Sequence, residues 1–311
     1  MFNKPVRILN FDDSILKQKN LLSRYKTEVI DLKGLAPQAR YFLNAKIRSL
    51  IERRIKSSAK DSITFLGSGD FHHISEILIS QFNEPISCIS FDFHPDWEIV
   101  PPRFGCGSWV SEVLRRKNIL KFILVGASSN DLDSFNIQNG NLDSLKDDRV
   151  EIYPYAHQAS LTFFKKVPRN VSIGVLDGVL FERIYWHELK DRNLNEFFPG
   201  ILRRIPQKKV YISIDKDCLK NDFSLTNWEE GMFSLDELLL MLKLIKDNMD
   251  IVGVDITGDY SPIVVEGLFK KAASYFDHPK KLKAKILPEA TVTAINEDTN
   301  LKILQLFNSE V

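Results

Sequence analysis

At 311 residues, 44% hydrophobic and 27% charged, the chain has the make-up of a soluble globular protein, long enough for one large α/β domain or two smaller ones. Its 42 Lys and Arg offset 41 Asp and Glu, and a net charge of +1 gives no electrostatic drive toward nucleic acid or an anionic membrane. Three cysteines, Cys88, Cys106 and Cys218, are too few and odd in number for a disulfide framework and fit a reducing compartment.

Short apolar, β-rich runs alternate with helical patterns along the chain. Val6–Phe11 reads as a strand, and Gln38–Ser57 as a helix with a basic face. Ser62–Leu66 is a strand, followed by a glycine turn and a helical run to about Gln81. Ile86–Phe91 is a strand, Ser108–Lys117 a helix and Phe122–Val125 a strand; Val150–Tyr153 and Val171–Val175 are weaker strands. Val210–Ile214 is a strand, and Ser234 with Glu237 forms a capping box that opens a Leu-rich helix to about Lys246. Ile251–Ile256 is a strand, Ile263–Tyr275 a helix and Asn300–Phe307 a last helix, with Ser129–Asp148 and Asp277–Asp298 as loops.

Near-continuous apolar strands of this length are buried on both faces. Their alternation with helices predicts a parallel, doubly wound sheet. No repeat, low-complexity run or linker divides the chain, so residues 1–311 are expected to form one domain. Its ligand site should lie at the carboxyl ends of the strands. The first twelve residues lack a secretory-signal pattern, and no stretch approaches the roughly 20 apolar residues of a membrane span, so a cytoplasmic protein is expected.

Acidic residues gather where strands end. Ile86–Phe91 runs into Asp92-Phe93-His94-Pro95-Asp96, Val210–Ile214 into Asp215-Lys216-Asp217, and Ile251–Val254 into Asp255 through Asp259. Alternate residues of an extended segment point to the same side, so Asp92, His94 and Asp96 can converge on one spot, and so can Asp215 and Asp217. Burying such a set is costly unless cations balance it. Carboxylates with some imidazole suit Mn²⁺, Mg²⁺, Fe²⁺ or Zn²⁺, and the oxygen-rich mixture leans to manganese. A lone D-x-D is usually turn chemistry; two such motifs, each directly after a buried strand, favour a metal site. The turn Gly67-Ser68-Gly69-Asp70-Phe71-His72-His73 adds either a further imidazole or a phosphate cradle, although the third glycine of a dinucleotide fingerprint is missing.

In series these motifs resemble the arginase/agmatinase/formiminoglutamase (ureohydrolase) superfamily. Gly67–His72 is similar to its glycine turn ending in a metal-binding His, and Asp92–Asp96 to its D-A-H-x-D motif. Ser213–Leu219 resembles S-x-D-x-D-x-L-D-P, and Val252–Asp255 with Asp259–Pro262 resembles G-x-D-x-x-E-x-x-P. The resemblance implies a three-layer α/β/α domain with an eight-stranded, mostly parallel sheet. It also implies two Mn²⁺ ions, other divalent metals being possible. Asp92 and Asp215 would bridge them, His72 and Asp96 would complete one site, and His94 and Asp217 the other. His72 is chosen over His73 because it keeps the turn in gapless register with formiminoglutamase-like turns. A water held by two such ions is a hydroxide source near neutral pH, able to attack a planar carbon bearing nitrogen.

The departures bear on substrate. The family's guanidinium-binding Glu falls on Gly258, with Asp259 next door, and loss of that carboxylate removes the hydrogen bonds that hold a guanidinium. The family's proton-shuttling His-Gly pair corresponds to Cys106-Gly107, where the thiol is a proton donor, a nucleophile or a small packed residue. Asp96 and Cys106 are therefore the catalytic candidates. Glu98 beside Trp97, His157, Trp228 and Asp259 are the candidate substrate contacts; Trp228 either narrows the pocket or is a surface aromatic.

The reading that follows is a dinuclear-metal hydrolase of a linear, non-peptide C–N bond in a small molecule other than arginine. Alternatives are an inactive or non-enzymatic metal-binding protein, an amide deacetylase, and a nucleotide-binding protein that uses the Gly67 turn. A homo-oligomer is expected from the family; no nucleic-acid or membrane partner is.

Overall fold

The computed structural model describes residues 4–56, 58–268, 270–271 and 283–308. The chain builds an eight-stranded sheet from β1 (Val6–Asn10), β2 (Thr27–Asp31), β3 (Ile63–Gly67), β4 (Ile86–Phe91), β5 (Ile119–Gly126), β6 (Val150–Pro154), β10 (Lys209–Asp215) and β11 (Asp250–Thr257). The order is β2-β1-β3-β11-β10-β4-β5-β6, and every pair is parallel. A second sheet of three antiparallel strands, ordered β7-β9-β8, comprises β7 (Ser160–Phe163), β8 (Ile173–Leu176) and β9 (Phe181–Trp186).

Continuous apolar strands become the middle of the large sheet because both their faces need cover. Alternate residues divide between two cores. Leu66, Cys88 and Phe122 pack with α3 (Ala45–Ile55), α4 (Ile74–Ile79) and α5 (Trp109–Leu114) on one face. Phe65, Ile89 and Ile212 pack on the other with α1 (Lys19–Arg24), α6 (Leu194–Leu202), α7 (Leu235–Asn248) and α9 (Glu289–Asn308). Short helical turns, α2 (Ala36–Ala39) and α8 (Lys283–Ile286), complete the set. The three-layer α/β/α architecture expected from the sequence is present. No helix among the described residues is long and apolar enough to cross a membrane.

Several boundaries differ from the periodicity reading, each for a local reason. The expected helix over 38–57 is broken. Ala36–Ala39 forms one turn, Tyr41 takes a positive φ of 71°, and Asn44 accepts from the Ile47 amide to start α3 afresh. Strand β2 escapes an apolar search because it is a half-exposed edge strand. The weak strand at 171–175 starts at Ile173 and belongs to the small sheet. Glu289–Asp298, expected as loop, forms the first half of α9, whose buried polar residues Asn296, Glu297 and Asn300 disguise its periodicity. The expected helix over 263–275 does not begin before Leu268, and positions 269 and 272–275 lie outside the described residues.

The capping box at α7 forms as expected: Ser234 Oγ accepts from the Glu237 amide at 3.3 Å and Glu237 Oε2 from the Ser234 amide at 2.8 Å. Removing the cap in Ser234→Ala should lower stability by about 1 kcal/mol, read as a lower urea midpoint with unchanged metal content.

Candidate metal centre

The four central strands end level with one another. Ile214 of β10 pairs with Phe91 of β4, which sets Asp215 beside Asp92, and Thr257 of β11 pairs with both Asp215 and Gly67. The chain then turns each acidic motif onto one spot. His72 Nδ1 lies 3.0 Å from Asp92 Oδ2, 3.2 Å from Asp96 Oδ2 and 3.6 Å from Asp215 Oδ2. His94 Nδ1 lies 2.9 Å from Asp217 Oδ2 and 3.6 Å from Asp92 Oδ1. Two triads result, His72/Asp92/Asp96 and Asp92/His94/Asp217, each with ligand atoms within 4.8 Å of one another. Asp92 belongs to both, presenting one oxygen to each.

Four carboxylates share this buried space, and their proton affinities show the strain. Burial and the Asp92 charge push Asp96 up to about 7. Burial and the same charge push Asp217 up to about 6, and burial with the Asp217 charge holds Asp215 well above its ordinary value. Burial opposes charge on the imidazoles, but Asp92 overcomes it at His72, and Asp217 does so at His94; both are held well above the usual histidine range. In Asp92 the burial cost is outweighed by the His72 and His94 contacts, and its value falls. A site that gathers this much negative charge around two imidazoles has the donor set of a divalent-cation site.

The ligands are themselves held. His72 Nε2 sits 2.9 Å from Ser213 Oγ, which donates to Asp255 Oδ1 at 2.6 Å. Ser75 Oγ and Tyr211 Oη also donate to the Asp255 carboxylate, at 3.0 and 2.8 Å. Trp109 Nε1 donates to Asp96 Oδ2 at 2.7 Å, and the Phe93 amide to Asp217 Oδ1 at 3.1 Å. Asp255, Ser213, Tyr211 and Trp109 were missed as site residues. Strand parity carried a signal for two of them, since Tyr211 and Ser213 point to the same side of β10 as Asp215.

No protein-family model matches the chain. It is 25% identical to an uncharacterised protein of Thermotoga maritima over 201 residues, 65% of this chain and 59% of that protein. The chain thus spans about three-fifths of that relative's length. In structure it is similar to Entamoeba histolytica arginase, with a TM-score of 0.58 and 13% identity, covering 98% of both chains. Trypanosoma cruzi formiminoglutamase with Mn²⁺ superimposes with a TM-score of 0.55 and 11% identity, covering 99% of this chain and 95% of that one. The chain has the arginase-like fold.

Within that fold a cavity of about 510 Å³ opens over the two triads. Cys106, Glu98 and Trp228 line it, together with Asp131 and Glu229, which the sequence had not singled out. Trp228 stands over His94, ring centroids 5.4 Å apart. The Cys106 thiol donates to the Asp70 carbonyl at 3.4 Å and lies 3.3 Å from His73 Nδ1. Burial, with the Asp96 and Asp70 charges, pushes this thiol well above its ordinary value.

Two expected substrate contacts fall elsewhere. Asp259 is buried, its oxygens taken by Lys216 Nζ at 2.8 Å, Gln18 Nε2 at 2.6 Å and Asn300 Nδ2. It does not line the cavity. His157 is held by the Gln158 carbonyl at 2.7 Å and packs against Trp186, away from the cavity. Gly258 has φ +90°, and a Cβ there would stand 2.5 Å from Asp215 Oδ1, so this backbone admits no larger residue at 258. The phosphate-cradle reading of the Gly67 turn also fails. Asp12 Oδ2 accepts from the Ser68 amide at 3.0 Å, and the Asp70, Phe71 and His72 amides are already donated within the turn.

The Asp255 network predicts a specific loss. Asp255→Asn should weaken Mn²⁺ binding by about 10- to 100-fold through the orientation of His72, measured by calorimetric titration, while circular dichroism stays that of the parent chain.

Proposed function

We propose that this chain is a divergent member of the ureohydrolase superfamily that hydrolyses a linear, non-peptide C–N bond with two divalent cations, Mn²⁺ first among them. The observation that carries the reading is the pair of triads sharing Asp92. His72, Asp92, Asp96 and Asp215 would hold one ion, and His94, Asp92, Asp215 and Asp217 the other. When bound, the ions supply Lewis acidity and a water acidic enough to ionise near neutral pH. The protein's own groups do the rest. Trp109 fixes Asp96 and Asp255 fixes His72 through Ser213. Cys106, which lines the cavity, would be the donor to the departing nitrogen, its S–H turning from the Asp70 carbonyl to do so.

The walls narrow the substrate. Glu98, Asp131 and Glu229 line the cavity with Asn130, Asn136, Tyr41, Phe42 and Trp228, and no Lys or Arg lines it among the described residues. A substrate carboxylate would meet like charge there, whereas an ammonium tail would meet carboxylates and aromatic faces. With Gly258 in place of a guanidinium-binding acid, the fit is a linear amide or amidine with a cationic or neutral tail, not arginine. The deacetylase alternative is thereby kept as one branch of the substrate screen. The same Gly258 and the buried Asp259 favour, as a second reading, a metal-binding protein without turnover.

The test begins with elemental analysis of chain purified without chelator, repeated after Mn²⁺ loading. About two ions per chain, lost in Asp92→Ala and Asp217→Ala, are expected; trace metal after loading refutes the centre. The loaded chain is then screened against guanidino, amidino, formimino and acylamino compounds in pairs with and without a tail ammonium. Turnover of the ammonium members supports the hydrolase, and bound metal without any turnover selects the second reading. In Glu98→Gln the KM for an ammonium-bearing substrate should rise about 10-fold with kcat nearly unchanged, the mark of lost uniform binding.

A further inference from the structure

Fifteen large apolar side chains are exposed among the described residues, and eight of them fall between residues 163 and 185. The same stretch carries four basic residues, Lys165, Lys166, Arg169 and Arg183, against two acids, Asp177 and Glu182. All four basic residues are exposed. The small antiparallel sheet brings both sets together. Phe181 of β9 pairs with Phe163 of β7, and Arg183 with Leu161 of β7 and Leu176 of β8, so these side chains share one outer face. Lys165 and Lys166 follow the end of β7, and Arg169 reaches Asp177, at the start of the β8–β9 turn, at 2.6 Å.

Two turns carry the most protruding groups. Between β8 and β9, a Cβ on Gly178 would stand 2.3 Å from the Phe181 carbonyl oxygen, so only glycine closes this hairpin. Val179 at its tip is 99% exposed, and exposed Leu180 follows it. After β7, Phe164 is 87% exposed and has φ +55°, a left-handed conformation that a bulky residue adopts only under strain. The Phe164 amide donates to the Leu180 carbonyl at 3.1 Å, which joins the two turns into one apolar tip. The sheet is anchored behind that tip. Ile173, Ile184 and Trp186 lie in the main core, and the Leu161 amide donates to Ser134 Oγ at 2.9 Å.

We propose that this tip docks on the surface of an anionic lipid bilayer, with Phe164, Val179 and Leu180 entering the headgroup boundary and the basic side chains meeting the lipid phosphates. Two observations favour that occupant over a protein. The first is charge. Glu182 is matched by Lys166 at 2.7 Å and Asp177 by Arg169, while Lys165 donates to the neutral Gln138 carbonyl and Arg183 stands on the outer face, so the surplus is positive. Apolar contact combined with positive charge is what holds a peripheral protein on acidic lipid. The second is shape. A side chain 99% exposed at a hairpin tip needs a matching pocket in a protein partner, whereas a bilayer takes it up without one. The overall charge of +1, which gives no drive toward a membrane, averages this local surplus away. Contact of this kind is interfacial and requires no membrane-crossing helix.

Cosedimentation of the full chain with phosphatidylcholine vesicles, with and without phosphatidylglycerol, tests this. Binding to the mixed vesicles is expected in low salt, falling as salt rises, with much weaker binding to the neutral ones. The double variant Phe164→Ser, Val179→Ser should bind the mixed vesicles roughly 10-fold more weakly. Its circular dichroism and melting should be parental, since both side chains stand in solvent. In Val179→Trp, tryptophan emission should shift to the blue when mixed vesicles are added, which reports entry of this tip rather than another face. A parent chain that stays off the mixed vesicles, as it would were the face covered by protein, overturns the proposal. So does equal binding to neutral vesicles, an undiminished double variant, or unshifted emission from Val179→Trp.

Discussion

The cost of placing four carboxylates and two imidazoles in one buried pocket governs the rest of this structure. Each ion removed from water costs several kcal/mol unless matched. Asp92, Asp96, Asp215 and Asp217 are nonetheless brought together, because the paired ends of β4 and β10 set Asp92 beside Asp215 and the turns that follow bring Asp96 and Asp217 alongside. The resulting charge is met by the imidazoles of His72 and His94 and by hydrogen bonds from Trp109 and the Phe93 amide. Such a gathering of carboxylates and imidazoles is the donor set a divalent cation would suit.

The same constraint explains the supports below the pocket. Asp255 accepts from Ser75, Ser213 and Tyr211 and fixes the imidazole of His72 through Ser213. Lys216, between the two ligand aspartates, turns its ammonium away from the pocket onto Asp259, which Gln18 and Asn300 also grip. That ion pair ties β10 and β11 to the first and last helices. Asp259 thus serves the turn that carries Asp215 and Asp217, in contrast to the substrate role its position had suggested.

Substrate choice and ligand geometry are coupled at Gly258. Its positive φ and its approach to Asp215 leave no room for a side chain, so the position where related motifs carry an acid is closed by the packing of the metal ligand itself. The wall of the neighbouring cavity is acidic and aromatic. Across the domain, the small antiparallel sheet is held by the same 130–139 loop that brings Asn130, Asp131 and Asn136 to the cavity.

The motifs at strand ends, read with the two-residue period, pointed to Asp92, His94, Asp96, Asp215 and Asp217 as neighbours and to the layered parallel fold, because motif spacing and strand burial are local properties of the chain. Long-range partners were not legible. Asp259 is held by Lys216 and Gln18 and His157 packs against Trp186, and Asp131 and Glu229 reach the cavity from loops without periodicity. Edge strand β2 and the first turns of α9 hid for a related reason, their polar residues being exposed or satisfied by distant groups. Sequence alone placed the carboxylates and imidazoles at the strand ends; tertiary structure decided which polar groups line the cavity, since Asp259 is taken by Gln18, 241 residues away along the chain.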